Sequence, residues 1–137
     1  MQNTMEFIGG LPEQCPPAKA RNPLLEEVVY RLGYLEDSYS AEDFLSHWDK
    51  HPQNRTKYST NPGECQAKAL SVFTSEEEAR NASRLPSLKK KIKSTLHLKL
   101  HPSDGLLIQT GNNIAHYSLW LSRIFTLDKA GIHVIPL

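Results

Sequence analysis

The chain has 137 residues, of which 39% are apolar, 23% charged and 8% aromatic, and its formal net charge is +1. That length and mix fit one globular domain able to bury a core without staples, and they exclude low-complexity and collagen-like chains. No apolar run approaches the roughly 20 residues that a bilayer span needs, and the N-terminus lacks the basic start and apolar stretch of a secretory signal, so a cytoplasmic protein with no membrane contact is expected.

Residues 1–23 read as an irregular arm, because Pro12, Pro16, Pro17 and Pro23 forbid a continuous helix and weaken strand pairing. The remainder, residues 24–137, reads as a single α+β domain. In 24–34, Leu24, Leu25, Val28, Val29 and Leu32 recur at helical spacing, which predicts a helix ending near Gly33. Val28-Val29-Tyr30 is also β-prone, so a strand over 28–34 is the alternative. Residues 40–50 predict a helix capped by Ser40, with Glu42 and Asp43 in the first turn and Phe44, Leu45 and Trp48 on one apolar face. Residues 51–63 read as a loop.

A short buried strand is expected over 69–73. Ser75 and Glu78 fit a capping box that opens a helix to about Ser83. A second short helix is expected from Ser87, with Leu88 and Ile92 on one side. The clearest strand is 95–101, where Leu96, Leu98 and Leu100 alternate with His97, Lys99 and His101. A turn at 102–105 predicts that 106–110 returns as its partner strand. Further strands are expected over 116–124 and 132–135. Short helices early and strands late give α+β with a mostly antiparallel C-terminal sheet.

Two features bear on function. Residues 1–86 carry 9 Lys/Arg against 13 Asp/Glu, and residues 87–137 carry 7 against 2. A basic C-terminal half suits an acidic or phosphorylated partner. Lys89, Lys90, Lys93 and Lys99, with His97 and His101 on the same strand face, are its candidate anion-binding residues. The competing reading is a solvated lysine face and a half-exposed sheet surface. His97 and His101 stand about 13 Å apart along a strand, too far for one metal ion, and no CxxC supports them, so neither a metal nor a cofactor is expected. Cys15 and Cys65 are expected as free thiols. The second feature is a concentration of four of the six histidines between His97 and His133. Histidine titrates near neutral pH and serves proton transfer or anion binding. His116 is the candidate acid/base, with Ser118 and Tyr117 as its neighbours. The alternative for His116 is a buried ring bonded to backbone beside Tyr117 and Trp120.

Three resemblances follow from short motifs. His116-Tyr117-Ser118-Leu119 resembles the His-x-Ser/Thr-hydrophobic element of two-histidine phosphoesterases. That family needs the element twice, one histidine to activate a nucleophile and one to protonate the leaving group, and no second copy follows His47, His97, His101 or His133. Val28-Val29-Tyr30-Arg31 resembles the first strand of ADP-ribosyltransferase-like domains, and Leu70-Ser71-Val72-Phe73-Thr74-Ser75 before a helix resembles their strand, turn and helix with a central Ser or Tyr. That resemblance implies Arg31 as a ligand for the phosphates of a dinucleotide. The late Glu of the Arg-class enzymes is missing, since no Glu follows Glu78. Without that role Arg31 is a surface helix residue. The run from Cys65 to Trp120, through Leu70-Ser71-Val72-Phe73, Asp104-Gly105 and His116-Tyr117-Ser118-Leu119-Trp120, is similar to small uncharacterised bacterial proteins of unassigned function. The functional expectation is a small binding or accessory module whose partner is a protein or a phosphate-bearing ligand. The alternative is a small nucleotide- or nucleic-acid-directed enzyme using His116.

Overall fold

Val28 and Val29 are adjacent and β-branched, and their environments are opposite: Val29 is fully buried and Val28 is 38% exposed. That is the alternation of a strand, and residues 24–34 are not the expected helix. Strand β1 runs over Glu27–Gly33. The reason is tertiary. A partner strand lies alongside all seven of its residues, from Glu27 opposite Leu100 to Gly33 opposite Ser94, and satisfies the backbone that a helix would satisfy internally.

The computed structural model describes residues 5–58, 63–128 and 130–137. In it, β1 is followed by a 3-10 turn at Ala41–Phe44 and a short helix α1, His47–Lys50. The single helix expected over 40–50 is therefore interrupted. Asp43 turns its carboxylate back to the N–H groups of Tyr34 and Ser40, at 3.0 and 2.9 Å, and Ser46 then starts again as the cap of α1 by accepting from Asp49 N. The expected 51–63 loop holds a 3-10 segment, Pro52–Tyr58, and at its end α2, Gly63–Ala67, begins; 59–62 lie outside the described residues.

Strand β2, Leu70–Phe73, and helix α3, Glu76–Ser83, follow the sequence reading closely. Ser75 Oγ accepts from Glu78 N, but the Glu78 carboxylate accepts from Asn113 Nδ2 at 2.8 Å and so ties α3 to a distant turn. The helix expected from Ser87 is absent. Leu85 and Leu88 carbonyls close two hydrogen-bonded turns there, and the run Lys89-Lys90-Lys91 stays exposed.

Strand β3, Ser94–Leu100, buries Leu96, Leu98 and Leu100 completely. Its partner is not the strand that follows it. Strand β4, Gly105–Gln109, pairs with β5, His116–Leu121, whereas β3 lies between β1 and β6, His133–Pro136. The intervening 3-10 turn, Pro102–Asp104, redirects the chain, and Gly105 then meets the Trp120 carbonyl so closely that a Cβ would overlap it. Six strands form one antiparallel sheet in the order β4-β5-β2-β1-β3-β6, which with the helices makes the fold α+β.

One sheet face carries the main core, around Val29, Val72, Leu98, Leu107 and Leu119. The arm is bound to the body: Phe7 bridges to Ser122, Arg21 bridges to Leu107, and Cys15 forms a disulfide with Cys65 of α2. The expectation of two free thiols is thus corrected; the link crosses 50 residues, so nothing in local spacing announces it. No helix among the described residues is long and apolar enough to cross a membrane.

Truncating Val29 to Ala should cost about 2 kcal/mol in urea unfolding, from lost methyl burial plus a residual cavity, while Val28→Ala should cost within about 0.5 kcal/mol. Equal losses at the two positions would contradict the strand.

Candidate functional site

β1 and β2 occupy the middle of the sheet, yet they meet at a single registered pair, Tyr30 opposite Phe73. Beyond it Arg31 joins the two strands in place of a ladder. Its Nη1 donates to Ser71 O at 2.8 Å and its Nε donates to Asp43 O at 2.6 Å. Each bond from a charged donor is worth on the order of 1.5–3 kcal/mol. Asp43 is 1% exposed, and both of its carboxylate oxygens are engaged by backbone N–H groups. Among the described residues Arg31 forms no ion pair. Two neutral carbonyls hold a full cation.

A cavity of about 180 Å3 opens beside the guanidinium, walled by Arg31, His47, Lys50, Ser71 and Phe73 among others. Its positive field shows in the titration of its own wall. Burial pushes the His47 imidazole below the usual histidine value, and the charges of His51, Arg31 and Lys50 push it the same way. Burial likewise lowers the proton affinity of Arg31, against the opposing pull of Tyr34 and Asp43. The Lys50 ammonium sits 3.4 Å from the centre of the Tyr34 ring, which holds it over this mouth by cation–π attraction.

Ser71 links this cavity to His116. In the β2–β5 ladder Ser71 stands opposite Ser118 and Phe73 opposite His116, so alternation puts all four side chains on one face. His116 Nε2 lies 3.1 Å from Ser71 Oγ, and Nδ1 lies 3.0 Å from Thr110 O. A carbonyl only accepts, so Nδ1 carries the proton and Nε2 accepts from the serine hydroxyl. Thr110 Oγ1 and Ser118 Oγ are 2.8 Å apart, and Ser118 Oγ donates to Gln66 Oε1 at 3.1 Å, which extends the chain of hydrogen bonds to α2. Phe73 packs edge-on against the imidazole with ring centres 5.4 Å apart. Gly111, at φ 77°, makes the left-handed turn that brings Thr110 back over the ring. Such a serine, on a residue that lines the cavity, can pass its proton to the imidazole.

The residues singled out from the sequence do not converge. Ser118 is buried and reaches His116 only through Thr110. Tyr117 points to the other face, where the Arg21 guanidinium lies 5.8 Å from its ring. Lys89 and Lys90 are exposed in the turn before β3. Lys93 precedes β3 and Lys99 lies near its far end, about 20 Å away at roughly 3.3 Å per residue. His97 packs edge-on to Tyr30 at 4.7 Å, with Glu76 at 3.9 Å and His133 opposite. The backbone N–H of His101 is capped by Asp104 at 2.7 Å, at the turn into β4. Among the described residues no group of three His, Cys, Asp or Glu side chains is placed to hold a metal. Sequence reasoning did not assign Ser71, Thr110, Gln66, His47 or Lys50 to a site. Only Ser71 carried a signal, as the polar position in an otherwise apolar strand.

No protein-family model matches the chain, and neither a curated protein nor a solved structure matches it.

His97, like His47, is held below the usual histidine value, by burial first and by His133 and Arg80, with Glu76 opposing. The unfolded chain therefore binds more protons than the folded one just below the ordinary histidine pKa of about 6.5. Stability is fully present above that pH and is lost as pH falls through the lower folded values. The melting temperature should fall between pH 7.5 and 5.5, and less so in a His47→Gln, His97→Gln double variant. An identical slope in the double variant would contradict the assignment.

Proposed function

We propose that the chain binds a phosphate-bearing ligand in the cleft between β1 and β2, with Arg31 as the principal phosphate contact. The observation that carries this reading is a half-buried guanidinium held by two carbonyls and, among the described residues, by no carboxylate, in a cavity that also presents His47 and Lys50. A half-buried cation whose direct partners are neutral carbonyls is only partly compensated by the more distant Asp43, and an incoming anion adds to that compensation. The cavity, about 180 Å3, is smaller than a typical pocket of some 300–1,000 Å3 for a drug-sized ligand, so it suits the phosphate end of a molecule whose remainder stays outside. A nucleotide or dinucleotide is the ligand class that the ADP-ribosyltransferase-like motif around Arg31 implies.

The wider reading is an accessory module whose basic C-terminal half meets an acidic or phosphorylated partner. It draws support from exposed Lys89, Lys90, Lys93 and Lys99, but the first three precede β3 and Lys99 lies near its far end, so they do not form one patch. The cleft is the better-defined anion site. A bacterial source rests on the motif similarity across residues 65–120. A cytoplasmic location is supported by the lack of a signal-like start, whereas the Cys15–Cys65 disulfide favours an oxidising compartment, and the disulfide weighs more heavily.

Calorimetric titration with pyrophosphate, an adenine dinucleotide and a short RNA should give binding at about 50 mM salt that weakens at about 200 mM. Arg31→Gln should weaken it at least about tenfold, the loss of roughly 1.4 kcal/mol, while a Lys89→Gln, Lys90→Gln variant stays within about twofold. Equal losses in the two variants would move the site to the lysine turn. No binding by any of the three probes would remove the proposal.

A further inference from the structure

Ser71 is an exposed residue of the cavity wall, and its hydroxyl lies 3.1 Å from Nε2 of His116, behind it. Three features distinguish this contact from a hydrogen bond that merely braces two strands. The far side of the imidazole is fixed by the Thr110 carbonyl, which sets the tautomer in which Nε2 accepts a proton. The ring is further fixed by the edge of Phe73 and by the left-handed turn at Gly111. Finally, the carbonyl of Ser71 itself accepts from Arg31, so the guanidinium from β1 is held at the same β2 residue that carries the hydroxyl. Nucleophile, base, base-orienting acceptor and cation are all present, in the mutual order that nucleophilic catalysis requires.

We propose that Ser71 is a nucleophile and His116 its general base in phosphoryl transfer from a phosphomonoester bound at Arg31. The substrate class rests on the anion-binding reading of the cleft; the pairing of Ser71 with His116 does not. Ser71 Oγ attacks phosphorus as its proton passes to His116 Nε2. The ester P–O bond breaks, and the imidazolium returns that proton to the departing alcohol. A phosphoserine remains. Water then attacks the same phosphorus, gives its proton to His116, and displaces Ser71 Oγ, which takes the proton back. The sum is monoester plus water to alcohol plus inorganic phosphate, with no oxidant, reductant or metal needed for balance. Arg31, with Lys50 and His47 beyond it, meets the negative charge of the transferring group. Thr110 is a positioning residue, since its hydroxyl and carbonyl meet the imidazole and Ser118 and its N–H donates to the His116 carbonyl.

The test uses the full chain with its disulfide intact and p-nitrophenyl phosphate as substrate, together with intact-mass analysis after a fluorophosphonate probe. The wild type should release nitrophenolate and take up one probe group, mapped to Ser71. Ser71→Ala and His116→Gln should each lower turnover by about 100-fold or more and abolish labelling. Ser71 is exposed, so its alanine variant should fold, and unchanged melting of that variant checks this. Pyrophosphate titration of Ser71→Ala separates the two proposals. Binding without turnover or labelling in the wild type overturns the nucleophile and leaves the anion site standing. Labelling at Ser71 without anion binding keeps the nucleophile and overturns the phosphoester class. Turnover and labelling that persist in Ser71→Ala overturn the assignment of Ser71.

Discussion

The centre of this sheet is joined by a side chain. β1 and β2 share one registered pair, and beyond it the contact between them is the Arg31 guanidinium, reaching to Ser71 O on one side and Asp43 O on the other. On either side of that seam the ladders are continuous, β4-β5-β2 and β1-β3-β6. Backbone groups inside a protein must be bonded, and where two strands part some other donor must replace the missing N–H. Arginine does this well because its planar fork offers five donors and stays charged. The consequence is a cation at the middle of the fold whose partners are neutral.

That consequence links stability to binding. Asp43 is near enough to have neutralised Arg31, but its carboxylate is taken by the N–H groups of Tyr34 and Ser40, where it closes the turn that follows β1. The same turn interrupts what would have been one helix and places α1, with His47 and Lys50, across the opening of the seam. Three cationic or protonatable side chains thereby gather where the backbone has separated. Burial first, and then its proximity to His51, Arg31 and Lys50, lowers the proton affinity of His47 there. Ser71 lines the other bank, and the β2–β5 register sets its histidine partner His116 behind it.

Much of the fold was legible in the sequence, and the failures have a common cause. Strand β3 showed itself by strict alternation, and α3 by Ser75, because these signals are local. The helix expected over 24–34 failed because adjacent Val28 and Val29 satisfy helical and strand periodicity alike, and only the neighbouring β3 decides between them. The hairpin expected between β3 and β4 failed because Gly105, read as an ordinary turn glycine, serves a close approach to Trp120 on another strand. The disulfide and the Ser71–His116 contact were invisible for the same reason: each joins residues about 50 or 45 positions apart, and no spacing rule reaches that far. Arg31 drew attention through the residues before it. What the sequence could not disclose was that Asp43, twelve residues on, would lend it a carbonyl and withhold its carboxylate.

The central claim is that the seam between β1 and β2, and not the lysine-rich turn or the sheet edges, is where an anion settles. Amide hydrogen exchange with and without pyrophosphate tests it at residue resolution. Protection should rise along β1 and β2 around Tyr30, Ser71 and Phe73 and over α1, with β4 and β6 unchanged. Protection that rises instead around Lys89–Lys93, or nowhere, would contradict the account.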